Sequence, residues 1–474
     1  MRGKCETLPP QYRFKEHPQR RRGMPWGFLD KEISLCYFLS ILERKKARME
    51  KKTFRVGLFG LGTVGGGVAE LLLNENWKSK DYEFVLKKVV VRNLNKRRSI
   101  SLPSHLLTTN PQEVLENPEI DTVIEVMGGI SPAKEIIIEA LRKGKNVITA
   151  NKALLARSGS LIFKEATENN CYLGVRASNI ASYRLIESLA YSPSKIEELI
   201  GIFNGTCNYI LTEMERRGES FSNVLKKAQE IGYTEKDPSD DIDGYDTVHK
   251  LIVLLGLTSG YFLPLESLFV EGIRKITLQD ILFAKELGYR IKLVAIARRK
   301  GEELEARVHP ALLPIGRGLA RLDGIENGIE IRDETGVEVG LQAPGAGRYP
   351  TATAILEDLV CMAEGRKLVS PYQREHLTLK KMEEVETRYY LRFNALDQAG
   401  VLAKISGILG SYNISIKAVL QKGERESERS EFVPVIMLTH KAREKDVQNA
   451  IRKINSLSVI KGETLLIRVE EGIF

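Results

Sequence analysis

The sequence predicts a protein of the α/β class with three parts: a doubly wound parallel sheet, a central α+β domain and a small C-terminal ferredoxin-like α+β domain. Three observations predict this arrangement. A glycine-rich turn at residues 60–65 follows the first strand. Strands and helices then alternate as far as residue 149, and residues 388–469 follow the order strand-helix-strand-strand-helix-strand.

Length and composition are those of a globular protein with several domains. The chain has 474 residues, of which 43% are hydrophobic and 28% charged. No apolar run approaches the roughly 20 residues of a membrane-spanning helix, so we expect no membrane association. The five cysteines are scattered and odd in number, and none has metal-ligand spacing. This pattern disfavours a disulfide framework and predicts a cytoplasmic protein.

The first fifty residues differ from the rest of the chain. They hold twelve Lys and Arg against six Asp and Glu, which accounts for +6 of the formal net charge of +9. The main body is therefore near neutral, and we expect no nucleic-acid partner. An apolar run at residues 33–42 resembles a targeting or membrane-surface segment, but Arg44 follows it where small residues are needed. We expect residues 1–50 to be disordered or not translated, with Met49 as the start.

The first strand and helix carry a local motif for phosphate binding. Residues 54–59 are a short apolar strand that leads into Gly60, Gly62 and Gly65 in the pattern G-x-G-x-x-G. The first glycine permits a tight turn, the second lets a pyrophosphate approach the backbone, and the third lets the helix pack on the strand. The helix N-terminus at Thr63 and Val64 offers unpaired N–H groups to phosphates. The motif predicts a dinucleotide site.

The following elements continue the alternation. Strands are predicted at residues 84–91, 122–127 and 146–149, and a helix begins after Ser131 and Pro132 and ends at Gly144. Proline at the start and glycine just past the end are typical of a helix. These elements complete a doubly wound parallel sheet.

The end of the second strand indicates which dinucleotide is bound. An NAD site usually has an acidic residue there, bonded to the ribose 2′-hydroxyl. This chain has Arg92 and Asn93 at that point, with three further cations at residues 96–98. The cationic tip predicts NADP, which carries a 2′-phosphate, in preference to NAD, although NAD remains possible. The alternative is a solvated basic loop.

Two segments of the middle region carry candidate site residues. Lys152 lies just beyond the carboxyl end of a strand, the edge where open α/β sheets bind ligands. Asp246 and Lys250 are four residues apart on a predicted helix, so they share one face. Six acids lie between Glu235 and Asp246, but their spacing does not match a calcium-binding loop. The alternative for Asp246 and Lys250 is a surface ion pair of little energy.

With these motifs the sequence resembles the homoserine dehydrogenase family over roughly residues 53–380. The matching segments occur in family order, at residues 60–65, 125–129, 149–152, 204–206, 232–250, 270–273, 284–292 and 345–351. The family interconverts L-homoserine and L-aspartate 4-semialdehyde with NAD(P). The resemblance therefore implies this activity, in the biosynthesis of threonine and methionine.

The resemblance also implies roles for four charged residues. Glu235 and Asp246 would hold the amino acid through its ammonium group. Lys152 and Lys250 would reach the reacting oxygen, with Lys250 as the proton donor in the reductive direction. A lysine in that role needs a pKa lowered by desolvation or by a neighbouring cation, and Lys152 would be that cation.

Other residues of the same motifs would support the substrate group or the cofactor. Asp240 and Asp241 would orient the charged residues, with Asp240 counted among the substrate contacts. Besides the contacts of the glycine-rich turn and Arg92, the resemblance implies cofactor contacts at Gly128, Lys152, Gly205 and Gly347.

One loop departs from the family pattern. Members carry a Glu before a glycine-rich loop that ends in Ile-Pro and binds a monovalent cation. At residues 173–181 this chain has Leu173 in place of the Glu and Ala181 in place of the Pro. Arg176 brings a fixed positive charge to the same loop. We therefore expect no metal site, with Arg176 in the electrostatic role of the ion.

Two rival functions follow from particular residues. The altered loop makes a catalytically weakened amino-acid sensor with the same fold conceivable. Cys207 would be the nucleophile of a Cys-dependent semialdehyde dehydrogenase. The alternative for Cys207 is a small buried residue without chemistry.

The C-terminal region resembles an ACT domain, a regulatory fold that commonly binds amino acids between paired copies. The match rests on residues 397–402 and 413–416, with Ala399 where proline is usual. It implies an effector site at Asp397, Gly400 and Asn413, with threonine, the end product, as the natural effector. The alternative is a dimerisation element without a ligand.

Together these observations predict the organisation of the chain. We expect a homodimer or homotetramer. The predicted segments are an N-terminal extension (1–50), an NAD(P)-binding domain (51–180), a catalytic and dimerisation domain (181–340), a return segment and connector (341–380), and an ACT regulatory domain (387–474).

Overall fold

The structure is a computed structural model of the chain. It describes residues 51–74, 81–178, 194–344, 347–366, 377–421 and 431–473. The predictions for residues 1–50, and for the last three residues of the 173–181 loop, lie outside the described residues. Within the described ranges, no helix combines the length and apolar character needed to cross a membrane.

The predicted doubly wound sheet is confirmed at the front of the chain. Six strands pair in the order β3-β2-β1-β4-β5-β6. The order reverses between β1 and β4, which pair in parallel, and such a reversal opens a ligand crevice at the carboxyl edge of a sheet. The strands are β1 (Lys52–Phe59), β2 (Tyr82–Val90), β3 (Leu107–Thr108), β4 (Thr122–Glu125), β5 (Asn146–Thr149) and β6 (Leu173–Gly174).

Helices cover this sheet because each has an apolar face. In α3, for example, Ile136, Ile137, Ala140 and Leu141 are buried, while the charged residues Glu135 and Arg142 are exposed. The helix of residues 348–363 follows the middle region in the sequence and packs against the first helix. The helices are α1 (Thr63–Leu73), α2 (Gln112–Leu115), α3 (Ala133–Arg142), α4 (Lys152–Glu168) and, numbered later in the chain, α10 (Arg348–Ala363).

A second, larger sheet organises the rest of the chain. Its main path is β12-β11-β7-β9-β10 and continues through the C-terminal strands at residues 465–469, 386–396, 432–439 and 416–421. Strands β8 and β13 also pair with β10. Strands β9 and β10 pair antiparallel over their full twelve residues. The strands before the C-terminal domain are β7 (Ile196–Ile202), β8 (Phe269–Val270), β9 (Tyr289–Lys300), β10 (Glu303–Pro314), β11 (Glu326–Asp333), β12 (Glu338–Pro344) and β13 (Thr378–Leu379).

Five helices of the middle region pack on this sheet or border the cavity described below. The most apolar is α8, whose residues 246–257 are all buried, as expected of a helix enclosed on several sides. The helices are α5 (Gly205–Arg217), α6 (Phe221–Glu230), α7 (Ser239–Ile242), α8 (Tyr245–Ser259) and α9 (Leu278–Glu286).

The C-terminal domain has the predicted split βαβ plan. Its two helices cover one face of the strands and enclose a separate core that includes Leu391, Ile405, Met437 and Ile451. The last strand begins at Leu465, later than the predicted residue 459, because a turn occupies the intervening residues. The elements are β14 (Glu386–Leu396), α11 (Val401–Ser411), β15 (Ile416–Gln421), β16 (Phe432–Thr439), β17 (Ala442–Arg443), α12 (Glu444–Asn455) and β18 (Leu465–Val469).

The C-terminal domain joins the middle region through its last strand. Strand β18 pairs in parallel with β10, so one sheet passes through both domains. Just beyond β18, the Glu470 carboxylate lies between two guanidinium groups, 2.8 Å from Arg298 and 2.6 Å from Arg307. We call these three residues the junction cluster. Burial alone would raise the pKa of Glu470, but Arg307 and Arg298 lower it to about 2.

Candidate active site

A cavity of about 650 Å³ opens where the carboxyl edge of the first sheet meets the end of β7 and the start of α8. It contains all four charged residues on which the substrate prediction depends, together with three further predicted cofactor contacts, Val64, Gly205 and Gly347. The lining residues are Val64, Ala150, Lys152, Ala177, Ser178, Asn204, Gly205, Thr206, Gly232, Tyr233, Thr234, Glu235, Asp241, Asp246, Lys250, Ile325, Gly347 and Thr351.

Asp246 lies between two ammonium groups at the inner wall of this cavity. Its Oδ1 is 3.1 Å from Lys152 Nζ, and its Oδ2 is 3.0 Å from Lys250 Nζ. We call these three residues the cavity cluster. Asp246 and Lys250 are on successive turns of α8, whereas Lys152 is the first residue of α4 and follows β5. The Lys250 ammonium also donates to the Phe203 carbonyl, at 2.6 Å.

The cluster is buried on one side and open on the other. The Asp246 and Lys250 side chains are 10% and 9% exposed, while that of Lys152 is 37% exposed. Burial would raise the pKa of Asp246, but Lys250, Lys152 and a hydrogen bond from Asn204 hold it well below its usual range. The Asp246 carboxylate in turn raises the pKa of Lys152, against the opposite effect of burial. Both partners of that pair are therefore charged at neutral pH.

A second layer of polar residues fixes this arrangement. Asn204 caps α5 with its side-chain oxygen, which accepts from the Cys207 N–H. Its amide nitrogen donates to Asp246 at 2.9 Å and to Asp241 at 2.6 Å. Asp241 also accepts from the Thr234 hydroxyl, at 2.9 Å. These bonds tie the end of β7 to the acidic segment that precedes α8.

The two neighbouring aspartates differ in position. Asp241 lines the cavity, whereas Asp240 is exposed and is absent from the cavity wall. The two side chains diverge because they occupy successive positions of the short helix α7. Sequence reasoning also missed Asn204 as a contact of Asp246, although an Asn just after a strand and before a helix is a common N-cap signal.

Glu235 supplies a carboxylate on the outer side of the cavity. It is exposed, and no ion pair of its side chain occurs among the residues that the structure describes. The cavity therefore offers one carboxylate that is already bound by two lysines and another that is open to a ligand. An amino-acid ammonium group requires such an acceptor.

The glycine-rich turn has the geometry needed for a dinucleotide. Gly60 has φ +100°, and a Cβ there would lie 2.8 Å from the Val126 carbonyl. A Cβ at Gly65 would lie 2.1 Å from the Gly60 carbonyl, whereas one at Gly62 would meet nothing within 4 Å. No side chain caps the start of α1 and no acid lies in its first turn. The open N-terminus of α1, with Thr63 in its first turn, therefore fits a pyrophosphate group.

Other predicted cofactor residues lie around the same edge. Gly128 has φ +70°, and the space beside its Cα is open. Gly205 packs against the Ile325 carbonyl, and Gly347 precedes α10. At the tip of β2, Arg92 is exposed, and Arg98 instead donates to loop carbonyl groups, including that of Lys96 at 2.8 Å.

Arg176 is enclosed rather than directed into the cavity. Its guanidinium lies 2.5 Å from the Asp358 carboxylate of α10 and 3.0 Å from the Tyr172 hydroxyl. Its backbone N–H donates to the other oxygen of Asp358 at 3.0 Å. The two next residues, Ala177 and Ser178, line the cavity. No group of three or more potential metal-binding side chains occurs in the described ranges.

Cys207 lies behind the cavity wall. It is fully buried, and its thiol donates to the Asp241 carbonyl at 3.1 Å. Burial, together with the nearby Asp241 and Asp246, raises the pKa of this thiol well above its usual range. A buried thiol of this kind is a poor nucleophile.

The predicted effector residues occupy two turns of the C-terminal domain. Gly400 has φ +86° and begins α11, and Asn413 has φ +57° in the turn after that helix. Asp397 accepts a hydrogen bond from Gln421 of β15, at 3.3 Å. A positive φ favours glycine or asparagine, which explains these residue types without a ligand.

Three family models match the chain. One described as "Homoserine dehydrogenase" matches residues 183–360, and "Homoserine dehydrogenase, NAD binding domain" matches residues 60–176. The third, "ACT domain", matches residues 389–459.

Curated and solved proteins show the same likeness over most of the chain. A homoserine dehydrogenase of Neisseria gonorrhoeae is 36% identical, with 88% of this chain and 99% of that protein aligned. One of Bacillus subtilis is 35% identical over the same shares. The crystal structure of a homoserine dehydrogenase from Thiobacillus denitrificans superimposes with a TM-score of 0.81 at 39% identity, covering 89% of this chain and 99% of that one.

Proposed function

This chain belongs to the homoserine dehydrogenase family, and we propose that its cavity cluster, together with Glu235, is the catalytic site of that family's reaction. The enzyme is an NAD(P)-dependent oxidoreductase acting on a CH–OH group, and it interconverts L-homoserine and L-aspartate 4-semialdehyde. The observation that carries the proposed site is the convergence of two lysines on one buried aspartate beside an open carboxylate.

The charges of the cavity suit each part of the substrate. Glu235 would accept the ammonium group of the amino acid, with Asp246 behind it. The nicotinamide cofactor supplies or accepts the hydride. Lys250 Nζ would donate a proton to the carbonyl oxygen during reduction and take it from the hydroxyl during oxidation. Because its pKa is raised, Lys152 stays charged and would stabilise negative charge on the same oxygen.

Three substitutions test this proposal against its rival. Lys250→Met removes the proton donor, so kcat of homoserine oxidation should fall by about 10²- to 10⁴-fold. Lys152→Met should lower kcat/KM, and Cys207→Ser should leave both constants near those of the wild type. A Cys-dependent semialdehyde dehydrogenase would give the opposite order, and a weakened sensor would bind homoserine without turnover. Wild-type kcat in Lys250→Met would contradict the proposed site.

We also propose that NADP is preferred to NAD. The support is the exposed Arg92 at the tip of β2, with Lys96 and Arg97 also exposed in the loop that follows. The ratio of kcat/KM with NADPH to kcat/KM with NADH measures this preference. Arg92→Ala should reduce the ratio by about 10-fold, because it removes one contact to the 2′-phosphate. An unchanged ratio would indicate the alternative, a solvated basic loop.

The loop at residues 173–178 supports a site without a metal ion. The buried Arg176 already supplies a cation in this loop, and Asp358 is its ion-pair partner. We expect activity to be the same in sodium chloride and in choline chloride at equal ionic strength. A clear dependence on sodium would contradict this proposal.

Regulation and assembly are the remaining proposals for the chain. An ACT domain suggests amino-acid regulation, and we propose threonine as the effector, bound at Asp397, Gly400 and Asn413. A threonine titration that changes neither activity nor the thermal midpoint would favour a dimerisation element without a ligand.

Light scattering would test the proposed homodimer or homotetramer. Cell fractionation would test the cytoplasmic location, and limited proteolysis the domain limits.

A further inference from the structure

A buried carboxylate at the carboxyl edge of the first sheet has no role in the site described so far. Glu125 is the last residue of β4, and its side chain is fully buried. Its carboxylate accepts several hydrogen bonds and takes part in no ion pair within the described chain. A carboxylate in such a position is costly unless several donors compensate it. The identity of those donors shows what the residue holds in place.

One carboxylate oxygen holds the turn that follows β4. Glu125 Oε1 accepts from the Met127 N–H at 2.8 Å and from the Gly128 N–H at 3.3 Å. These bonds end the strand at Glu125, two residues before the predicted residue 127, because they draw the backbone into a turn. Both Gly128 and Gly129 have positive φ, and the space beside them is open. The turn adjoins Gly60, whose Cα faces the Val126 carbonyl.

The other oxygen holds the segment that positions Lys152. Glu125 Oε2 accepts from the Thr149 hydroxyl, at 2.6 Å, and this hydroxyl accepts from the Asn151 N–H at 3.0 Å. Asn151 caps α4 by accepting from the Leu154 N–H, and its amide donates to the Gly129 carbonyl at 2.6 Å. Lys152 is the next residue and the first of α4.

We infer that Glu125 is a positioning residue for hydride transfer, because its one carboxylate sets both the turn at residues 127–129 and the start of α4. The turn belongs to the dinucleotide side of the crevice, and Lys152 belongs to the substrate side. The inference rests on the proposed function, in which Lys152 acts on the reacting oxygen. A displacement of about 1 Å between reacting groups lowers rates by about 100-fold, so a shared support for both sides matters to the rate.

Two variants separate the two oxygens of Glu125. In Glu125→Gln the side-chain oxygen still accepts from the turn, but the new NH₂ group can only donate toward Thr149, so the hydrogen bond that the Thr149 hydroxyl donates to Glu125 is lost. Thr149→Val removes the same link from the other end and leaves Glu125 intact. Both variants should lower kcat/KM for homoserine by about 10-fold or more, while the Kd for NADPH, measured by fluorescence titration, changes by less than about 3-fold. Glu125→Ala removes both oxygens, so it should lower kcat/KM for homoserine and also weaken the binding of NADPH.

Glu330→Gln is the matched control. Glu330 is also a buried carboxylate that accepts backbone N–H groups, from Leu319 at 3.2 Å and Ile473 at 2.8 Å, but on β11. If Glu125 had only a structural role, its variants would behave as Glu330→Gln does, with a lower thermal midpoint and unchanged kcat/KM. The inference requires that Glu125→Gln and Thr149→Val lose more kcat/KM than Glu330→Gln does. The comparison is made between variants whose thermal midpoints are lowered to the same extent.

The outcomes also separate this inference from the proposed function. Wild-type kcat/KM in both Glu125→Gln and Thr149→Val, with a loss in Lys152→Met, would overturn the inference alone. Full activity in Lys152→Met and Lys250→Met would overturn the proposed site. If Glu125→Gln failed to fold, Thr149→Val would still test the inference, because valine has nearly the same shape as threonine. In the double variant Thr149→Val, Lys152→Met, the loss of kcat/KM expressed as a free energy should be smaller than the sum of the losses in the two single variants.

Discussion

The cavity cluster and the junction cluster share one charge pattern but differ in the type of cation and in how deeply the carboxylate is buried. In each, a buried carboxylate lies between two cations from separate elements. The cavity cluster uses lysines, one of them 37% exposed. The junction cluster uses arginines; its Arg307 and Glu470 are 1% and 2% exposed, and its Arg298 is 31% exposed. An ammonium group can release a proton and move, whereas a guanidinium stays charged and binds with fixed geometry.

A carboxylate between two cations therefore supports catalysis in the cavity cluster and stability in the junction cluster. In the cavity cluster, a lysine can transfer a proton, and the cavity beside the partly exposed Lys152 leaves room for a ligand. The arginines of the junction cluster join two domains and stay charged, because a guanidinium group loses its proton only at extreme pH. The four predictions below test this contrast.

The largest expected effect is the loss of catalysis in Lys250→Arg. This variant keeps the positive charge beside Asp246 but cannot release a proton at the pH of the reaction. We expect kcat of homoserine oxidation to fall by about 10²- to 10⁴-fold. Steady-state kinetics and circular dichroism of the same sample measure the rate and the fold. Lys164→Arg, an exposed position on α4, is the control and should match the wild type; a Lys250→Arg enzyme within tenfold of it would break the contrast.

The next effect is the loss of stability in Glu470→Gln. This change removes the carboxylate that Arg298 and the buried Arg307 share, which should cost about 3 kcal/mol because the Arg307–Glu470 pair is enclosed. Well below the thermal midpoint, kcat should stay within about twofold of the wild type, because the cluster does not line the cavity. Thermal unfolding followed by calorimetry measures the first effect. Glu471→Gln removes an adjacent carboxylate that is 62% exposed and should change stability by less than about 0.5 kcal/mol.

The same residue should give an acid-dependent contribution to stability. The pKa of Glu470 is about 2 in the folded protein, below its ordinary value of 4.5. Its contribution is therefore complete above pH 4.5 and is lost as the pH falls toward 2, by about 3 kcal/mol in total. The difference in thermal midpoint between wild type and Glu470→Gln should shrink over this range. A difference that is constant with pH would show that Glu470 does not titrate as the junction requires.

The smallest effect is expected for Arg307→Lys. Lysine keeps the charge beside Glu470 but loses the guanidinium contacts to Glu305 and to His309, the latter at 3.0 Å. We expect a loss of about 1 kcal/mol or somewhat more, since one charged pair remains. The measurement is the same calorimetric unfolding. A loss as large as that of Glu470→Gln would mean that geometry, rather than charge, dominates the junction.

Much of the fold was predictable because its signals are local. The turn at residues 60–65 lies between a strand and a helix, and the spacing of Asp246 and Lys250 places them on one face wherever α8 packs. That Lys152 meets them was predictable only from the edge rule for open sheets and from the family resemblance. The choice of Asp241 over Asp240 depends on the orientation of a four-residue helix, which no spacing indicates.

The remaining features depend on contacts between distant segments. Glu125 lies inside the strand predicted at residues 122–127 and begins the family segment 125–129, but only the neighbouring β5 shows what it binds. Glu470 likewise gives no signal, because its partners on β9 and β10 come more than 150 residues earlier. The pairing of β18 with β10 also joins two domains that the sequence presents as separate. Long-range pairing of this kind leaves no periodicity to read.

The pairing of β18 with β10 has a consequence for the protein while it is being made. The ribosome completes β10 at Pro314, about 150 residues before it reaches Leu465. Until then, the segment of β10 around Ala311 and Leu312 has backbone groups without their final partner. An unpaired strand edge readily accepts a strand from another chain. We therefore expect nascent chains to need protection during this interval, which ends when the last strand emerges and docks.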